Sequence, residues 1–264
     1  MTQQPDPAHS ALGVIGVGEL ASAVVDGLRR AGGASPEIFL SPRNEGIARA
    51  LADRHDAVHV CPDNQAVVDS AQVILLAVRP DVVGQVLGQI AVPAGSLVIS
   101  AVAGATHASL RSHLGEDVEV VRTIPLPAVR ERCGITAVYP GHPEVEAIFD
   151  SLGGTLVVPD VEALNAVQTS TASISTLLDY LSSVADWLVE HGIDGLAAES
   201  FVRSMFQGVA GGLSDLTRTL PELVTAHETP GGLNEQVRRA WLTQRNREAL
   251  TQALDGVRAR LTGD

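Results

Sequence analysis

The sequence predicts a doubly wound, mostly parallel α/β domain over residues 1–159, followed by an all-α domain over residues 160–264. The first observation is an alternation of short β-rich runs with helical patterns, which is typical of βαβ units. The second is the composition: 45% of residues are hydrophobic but only 3% aromatic, which suits strands buried on both faces. The third is the purely helical spacing of apolar residues after about Pro159.

The elements of the first half follow from hydrophobic runs and their spacing. Strands are predicted at Leu12–Ile15, Glu37–Leu40, Val73–Val78, Leu97–Ala101, Val118–Arg122 and Ile135–Val138. Helices are predicted between them, at Leu20–Ala31, Glu45–Arg54 and Val82–Ile90. Strands separated by helices imply a sheet whose neighbouring strands run parallel.

The second half is predicted to contain helices only. A stripe at helical spacing runs along one long segment that ends near His191 and Gly192: Leu177, Leu181, Val184 and Leu188. Further helices are predicted at Leu196–Leu213, at Leu216–Ala226 and from Asn234 to Arg260, with the sequence TPGG (Thr229–Gly232) as the break before the last. Because this stripe, with Trp187 and Trp241, looks too elongated to close a core alone, a partner chain is expected.

Charge and composition exclude several classes of function. A net charge of −13 without a basic stripe argues against a nucleic-acid binder. The apolar runs are too short to span a bilayer, and the first ten residues show no signal pattern, so a cytoplasmic protein is expected. Cys61 and Cys133 lack the spacing of a metal site, and no metal is expected. All 18 basic residues are arginine, which excludes Schiff-base and lysine-dependent chemistry.

A glycine-rich segment near the start of the chain, GVGELA, predicts a dinucleotide site. Gly16 provides the tight turn and Gly18 the close approach of a diphosphate, while Ala21 replaces the third glycine of G-x-G-x-x-G. The helix N-terminus at Glu19 and Leu20 adds backbone N–H groups for the phosphates. The alternative is an ordinary tight turn, but a predicted strand before the motif and a predicted helix after it favour the nucleotide.

The end of the second predicted strand indicates which dinucleotide is bound. Ser41, Arg43 and Asn44 stand where an NAD site normally places a carboxylate for the ribose hydroxyls. A guanidinium and a hydroxyl suit a 2′-phosphate, so the sequence predicts NADPH. The alternative is that Arg43 is a solvated loop charge.

These landmarks fall in one order and together resemble the pyrroline-5-carboxylate reductase family. They are GVGELA, the SPRN loop, Asn64, the segment LLAVRP, SAVAG (Ser100–Gly104), VRTIPLPAV (Val121–Val129) and TPGG. The resemblance implies an N-terminal Rossmann domain joined to a helical dimerisation domain, with NAD(P)H reducing a cyclic imino acid in an intertwined homodimer. It also implies that Asn64 faces the adenosine, that Ala103 and Gly104 flank the nicotinamide, and that the cofactor is crossed by one loop: Ala77, Val78, Arg79 and Pro80. Helix capping by Asn64 and a simple strand end at Ala77–Pro80 are the alternatives.

The substrate side departs from the family pattern in three places. The usual M-P-N-T-P is replaced by Ile124-Pro125-Leu126-Pro127, and G-S-G-P-A-Y by a segment without glycine or proline, TSTASISTLLDY. The usual threonine after the two glycines is Asn234. Each change affects the pocket implied for the imino acid.

Candidate substrate groups follow from these replacements. Asn234 retains a donor and an acceptor at a helix start, where N–H groups bind carboxylates. His227 and Glu228 are candidates for delivering a proton to an imine nitrogen. Further candidate substrate contacts are Ser175, Thr176, Thr229, Gly231 and Gly232. Ser173 is a further hydroxyl candidate, and Tyr180 is a candidate near the start of the same helix. The alternative for the hydroxyl residues is close helix packing, and for Tyr180 it is simple packing. For His227 and Glu228 the alternative is a solvated loop pair.

The sequence therefore predicts an NADPH-dependent reductase acting on a C=N bond. Its partners are a small imino acid substrate and a second copy of the chain, with no nucleic acid and no membrane. A β-hydroxyacid dehydrogenase is a second interpretation, which the absence of lysine argues against. A third is a non-catalytic nucleotide-binding relative, which the loss of polar groups on the substrate side would explain. Arg238, Arg239, Arg245 and Arg247 are interpreted as a solvated face or a phosphate or partner contact.

Overall fold

The computed structural model describes residues 10–31 and 36–262. Its contacts divide the chain into two compact units, one up to Gln168 and one from Thr169. The division lies inside one helix, Val161–Thr171, rather than before it. Within the described residues, no helix is long and apolar enough to cross a lipid bilayer.

The first unit alternates strands and helices. Its elements are β1 (Leu12–Ile15), α1 (Glu19–Arg30), β2 (Ile38–Leu40), α2 (Glu45–Arg54), β3 (Val58–Val60), α3 (Asn64–Ser70), β4 (Val73–Leu76), α4 (Val83–Leu87), β5 (Leu97–Ser100), α5 (His107–Leu114), β6 (Glu119–Ile124), β7 (Thr136–Tyr139), α6 (Pro143–Asp150), β8 (Thr155–Val157) and α7 (Val161–Thr171). Short 3₁₀ helices at Pro80–Val82 and Pro127–Glu131 follow β4 and β6.

The eight strands form one sheet in the order β3-β2-β1-β4-β5-β6-β7-β8. All neighbouring pairs are parallel except β6 and β7. The chain moves outwards from β1 in one direction through β2 and β3, and in the other through β4 and β5. This confirms the predicted doubly wound fold and places its switch point between β1 and β4, where such sheets bind ligands.

The sheet is covered on both faces, and residues that alternate along one strand belong to different cores. Val73 and Leu75 pack into one cluster, whereas Ile74 and Leu76 pack into the other. Helix α1 contributes Ala21, Ala23, Val24 and Val25 to the first cluster, all at most 1% exposed. Aliphatic side chains therefore fill both layers, as the low aromatic content predicts.

Six elements of the first unit are absent from the prediction: β3, α3, α5, α6, β8 and the eleven-residue α7. The two strands have only three residues each, and α3, α5 and α6 have eight or fewer, which is too short for a clear periodicity. In β8, Leu156 and Val157 are exposed, so this strand lacks the buried run that identifies the others. The strand predicted at Val73–Val78 ends earlier, at Leu76.

The second unit is helical throughout its described elements. These are α8 (Ser173–Glu190), α9 (Gly195–Leu213), α10 (Leu220–Ala226), α11 (Leu233–Trp241) and α12 (Gln244–Thr262). Asp194 caps α9 by accepting the N–H groups of Leu196 and Ala197, and Thr219 forms a capping box with Glu222 at the start of α10. The capping box explains why α10 begins at Leu220 and not at Leu216, as predicted.

The prediction of one continuous last helix from Asn234 to Arg260 is wrong. The chain breaks between α11 and α12 at Leu242 and Thr243. The Thr243 hydroxyl accepts the Asn246 N–H at 3.4 Å, and the Asn246 side-chain amide donates to the carbonyl of Trp241. These local bonds replace the helical ladder at the break and start a new helix.

The predicted apolar stripe of α8 divides in the structure. Leu181, Val184 and Leu188 pack against a small core with α9, whereas Leu177 is 56% exposed. The core between these two helices is built on three buried residues, Ala185, Ala198 and Val202. Many larger apolar side chains of this unit remain outside it.

Candidate functional site

The glycine loop lies at the carboxyl end of β1, at the switch point of the sheet. Gly16 has φ of +94°, and a Cβ built there would lie 2.7 Å from the Ala77 carbonyl oxygen and from Val78 Cγ1. Its N–H donates to Ser41 Oγ at 3.0 Å. Positive φ and the close approach of backbone both require glycine at this position.

The N-terminus of α1 follows this turn and carries unused donors. Gly18 caps the helix without a side-chain hydrogen bond, and a Cβ built there meets nothing within 4 Å. The first helical bond joins the Ser22 N–H to the Gly18 carbonyl. The N–H groups of Glu19, Leu20 and Ala21 precede it and have no partner inside the helix. Open space beside a positive helix end is the geometry that binds a diphosphate.

The SPRN loop divides into two supporting residues and one exposed cation. Ser41 has no exposed surface, so its hydroxyl cannot contact a ligand directly. Its role is to hold the Gly16 turn by accepting the Gly16 N–H. The Asn44 side-chain amide donates to the Val17 carbonyl at 2.8 Å and fixes the loop against the glycine segment. The Arg43 guanidinium is exposed, and within residues 10–31 and 36–262 it has no ion pair.

The loops after β4 and β5 meet the same edge of the sheet. The Ala77 N–H donates to the Ile15 carbonyl at 2.8 Å, and the Ala101 N–H donates to the Leu76 carbonyl at 2.9 Å. Beyond these bonds the chain is more exposed, at Val78, Arg79 and Pro80 after β4 and at Ala103 and Gly104 after β5. Arg79 pairs with Asp81 at 3.1 Å, and both are exposed.

Asn64 begins α3, and Asp63 caps this helix by accepting the Ala66 N–H at 2.8 Å. The alternative that Asn64 serves as the helix cap is therefore wrong. Its side chain is half-buried at the edge where the adenosine contact is predicted.

A network around Asp26, which no pattern in the sequence predicts, fixes α1 against the 3₁₀ helix Pro127–Glu131. The Asp26 carboxylate is buried and contacts His55 at 2.7 Å and Arg130 at 3.2 Å. Arg130 also donates to Glu19 at 2.8 Å. The residues that follow β6 are thereby held beside the first turn of α1.

Arg122 lies in the segment VRTIPLPAV but is not among the predicted site residues. It ends a predicted strand and lies within β6, where its side chain is only 5% exposed, and burial lowers the pKa of its guanidinium. Desolvation lowers the pKa of the nearby His107, and the positive charge of Arg122 lowers it further. The hydrogen bond to the Val120 carbonyl acts in the opposite direction and raises this pKa. His107 Nε2 donates to that carbonyl at 3.2 Å, and the lowered pKa favours the neutral imidazole. A basic residue directly after the aliphatic pair Val120 and Val121 of a predicted strand was the available signal.

In the second unit, TPGG forms a tight turn before α11. Gly231 has φ of +74°, and the Gly232 N–H donates to the Thr229 carbonyl at 2.7 Å. The Gly231 N–H donates to Glu235 Oε2 at 2.6 Å. Glu235, in turn, pairs with Arg239 at 2.5 Å. A side chain of α11 therefore already occupies one amide of this turn.

The three predicted catalytic residues also surround this turn. The Asn234 side-chain amide donates to the His227 carbonyl at 2.7 Å, which leaves Oδ1 as the atom not used in that bond. Glu228 forms a two-bond ion pair with Arg238, one bond being 2.8 Å, and this pair lowers the pKa of the Glu228 carboxyl. His227 Nδ1 lies 2.8 Å from the Leu223 carbonyl, where Nδ1–H is the donor.

The hydroxyl candidates lie on α8, where Ser175 and Thr176 are exposed. Further along α8, Tyr180 stacks on Trp241 with ring centres 5.2 Å apart and meets Phe206 edge-on at 5.9 Å. Tyr180 is therefore packed, as the alternative interpretation expects. Among the described residues, no three His, Cys, Asp or Glu side chains lie together in a way that could hold a metal ion.

Comparison with known proteins gives consistent matches. The model of a family described as "NADP oxidoreductase coenzyme F420-dependent" matches residues 11–104. Pyrroline-5-carboxylate reductase of Corynebacterium melassecola is 27% identical over 84% of this chain and 86% of that protein. Pyrroline-5-carboxylate reductase 3 of Xenopus laevis is 29% identical over 84% of each.

Solved structures share the fold at lower identity. A pyrroline-5-carboxylate reductase from Coxiella burnetii has a TM-score of 0.83 at 22% identity, over 97% of this chain and 98% of that chain. Plasmodium falciparum pyrroline carboxylate reductase with NADP bound has a TM-score of 0.76 at 16% identity, over 97% of this chain and 98% of that one.

Proposed function

We propose that this chain, which is similar to pyrroline-5-carboxylate reductases over most of its length, belongs to that family and reduces the C=N bond of a cyclic imino acid with NADPH. The observation that carries the proposal is the Gly16 turn at the switch point, followed by an uncapped helix N-terminus. The substrate is pyrroline-5-carboxylate or a close relative. The sequence contains no lysine, which agrees with a reaction that needs none.

The cofactor is a nicotinamide dinucleotide, and the first unit would hold it along the carboxyl edge of the sheet. The amides of Glu19 and Leu20 would bind the diphosphate beside Gly18. Asn64 would contact the adenosine, and Ala103 and Gly104 would flank the nicotinamide. The loop that would cross the cofactor between its adenosine and its nicotinamide consists of Ala77, Val78, Arg79 and Pro80. When bound, the reduced nicotinamide supplies a hydride to the imine carbon.

Preference for NADPH over NADH is proposed to depend on Arg43. Its guanidinium is exposed beside the loop that Asn44 fixes, and no described carboxylate neutralises it. Hydrogen bonds to charged groups contribute about 1.5–3 kcal/mol. Arg43→Ala is therefore expected to lower the ratio of NADPH to NADH affinity by about 10- to 100-fold, measured as Kd values by calorimetry.

The matched control is Arg49→Ala, on the helix that follows. Arg49 is also exposed but pairs with Glu45, so its removal should leave the ratio within about twofold. An equal loss in both variants would show that general charge, and not a contact at Arg43, sets the preference.

The imine nitrogen must gain a proton when the carbon gains a hydride. Glu228 is ionised at neutral pH because Arg238 lowers its pKa, so it is a poor donor there. His227 is the better candidate, since Nδ1–H is held by a carbonyl and Nε2 remains for proton transfer. Asn234 would position the substrate through Oδ1. Contacts from Ser175, Thr176, Thr229, Gly231 and Gly232 complete the proposed substrate site.

We propose that the second unit forms a homodimer. Its described residues expose large apolar side chains well beyond the scattered few of a typical surface: Leu177, Leu178, Trp187, Val189, Leu196, Phe201, Met205, Leu213, Leu216, Leu220, Leu233, Val237 and Trp241. A second copy of the chain would bury them.

The decisive test of the reaction is NADPH oxidation by the purified chain with pyrroline-5-carboxylate, alongside NADPH binding without substrate. Turnover with this imino acid is the expected result. Binding without turnover on a panel of cyclic imines would favour the non-catalytic alternative. Turnover on a different imine or on a keto substrate alone would retain the cofactor assignment and replace the substrate.

A further inference from the structure

We propose that Arg130 is a positioning residue for the cofactor, which holds the Glu19 carboxylate and compensates its charge beside the diphosphate. The inference rests on the proposed function, in which the amide of Glu19 is one of two donors to the diphosphate. It adds to that function a residue of the 3₁₀ helix Pro127–Glu131, which lies outside the glycine loop. It starts from an acidic side chain at a place where an anion is expected to bind.

The glycine loop is followed by a negative charge. Glu19 is the first residue of α1, directly after Gly18, and its side chain is 71% exposed. A carboxylate in the first turn stabilises a helix without ligand. The same carboxylate lies within one side-chain length of the amide proposed to bind the diphosphate, which is shorter than the screening distance of about 8 to 10 Å in physiological salt. An uncompensated Glu19 would therefore repel the cofactor.

Arg130 provides the compensation, because its guanidinium bridges two carboxylates on one face of α1. Its Nη1 donates to Glu19 Oε1 at 2.8 Å, and its Nε donates to Asp26 Oδ2 at 3.2 Å. Glu19 and Asp26 are about two helical turns apart and project from the same side of α1. The hydrogen bond to Glu19 is the largest cause that raises the pKa of the Arg130 guanidinium.

The position of Arg130 is fixed independently of Glu19. Asp26 is 4% exposed and also contacts His55 at 2.7 Å, so its carboxylate is a fixed anchor within the first unit. The Arg130 carbonyl accepts a hydrogen bond from Arg30 Nη1 at 3.2 Å, which holds the backbone of the same residue. A guanidinium that is already ordered loses less conformational freedom when it also binds an exposed carboxylate. The bond to Glu19 therefore follows from an anchored arginine.

Other cations near the proposed cofactor are engaged elsewhere. The sequence has no lysine, Arg43 is assigned to the adenosine end, and Arg79 pairs with Asp81 at 3.1 Å. Arg130 is the cation that the fold places at the first turn of α1. An exposed ion pair contributes little to folding stability, so the main expected effect of this pair is on the affinity for the anion.

The test is a double-mutant cycle in which the NADPH Kd is measured by calorimetry at low ionic strength. Arg130→Met should raise the Kd about tenfold, because it leaves the Glu19 charge uncompensated. In the Glu19→Gln background the same substitution should raise the Kd by less than about threefold, because no carboxylate remains there. The tenfold effect should also shrink in about 1 M salt, where charges are screened over about 3 Å.

The matched control is Arg30→Met. Arg30 also binds the 3₁₀ helix Pro127–Glu131, through Glu131 and the Arg130 carbonyl, but it lies in the last turn of α1. Its removal should leave the NADPH Kd within about twofold of the wild-type value. A rise as large as that of Arg130→Met would show that loosening of the 3₁₀ helix or general charge is responsible, and would exclude the specific role of Arg130.

A second comparison changes only the exposed Glu19 and does not depend on the folding of Arg130→Met. Glu19→Asp keeps the charge but shortens its reach towards Arg130, whereas Glu19→Gln removes the charge. Glu19→Asp should bind NADPH at least about threefold more weakly than Glu19→Gln. Equal affinity of these two variants, or an equal loss from Arg130→Met in both backgrounds, would overturn the inference. Failure of the wild type to bind NADPH would instead overturn the proposed function, and this inference with it.

Discussion

Gly16→Ala is expected to abolish measurable NADPH binding and to destabilise the first unit by about 3 kcal/mol. The new Cβ would lie 2.7 Å from the carbonyl oxygen of Ala77, which is backbone and cannot rotate away. Alanine would also have to adopt φ of +94°. The turn must open, and the donors that follow it lose their alignment. Calorimetric titration with NADPH and chemical denaturation measure the two effects.

Gly18→Ala separates binding from folding at the same loop. Its Cβ enters open space at φ of −112°, which alanine tolerates, so stability should change by less than about 0.5 kcal/mol. That space is where the diphosphate is proposed to approach, so the NADPH Kd should rise by about 100-fold. Unchanged affinity in Gly18→Ala would show that the phosphates lie elsewhere.

Gly27→Ala is expected to cause the second large effect, on stability alone. A Cβ at this position of α1 would lie 2.3 Å from the Val129 carbonyl oxygen and 2.7 Å from Leu152 Cδ2. Helix α1 must move away from the 3₁₀ helix Pro127–Glu131, which also strains the Asp26–Arg130 bond. Overpacking of this kind costs about 3 kcal/mol, measurable by urea denaturation.

The matched control is Gly46→Ala in the first turn of α2. A Cβ there meets nothing within 4 Å, so the usual gain of alanine over glycine in a helix, about 0.5–1 kcal/mol, should appear. If Gly27→Ala were as stable as the wild type, the close packing of α1 against Val129 would be disproved.

The sequence predicted the features that are encoded locally. Strand β1 and helix α2 have the predicted bounds, and α9 differs only by its first residue, because each is a run whose period or caps are read from neighbouring positions. The break at TPGG was predicted for the same reason. Elements of three residues, such as β3, were not predicted because three positions are too few to define a period. The roles assigned to residues around the cofactor and substrate stay predictions.

By itself, then, the sequence determined the doubly wound order of elements, the glycine turn at Gly16 and the helical character of the second unit. Tertiary structure alone decided which side chains meet. Arg122 is buried there without a carboxylate partner. Asp26 binds Arg130, which is 104 positions away in the sequence, and Ser41 binds the Gly16 turn, which is 25 positions away. The physical reason is the distance in sequence over which each effect acts. Secondary-structure propensity and hydrophobic periodicity depend on a few neighbouring residues, whereas burial and charge pairing depend on distant segments that only the folded sheet brings together.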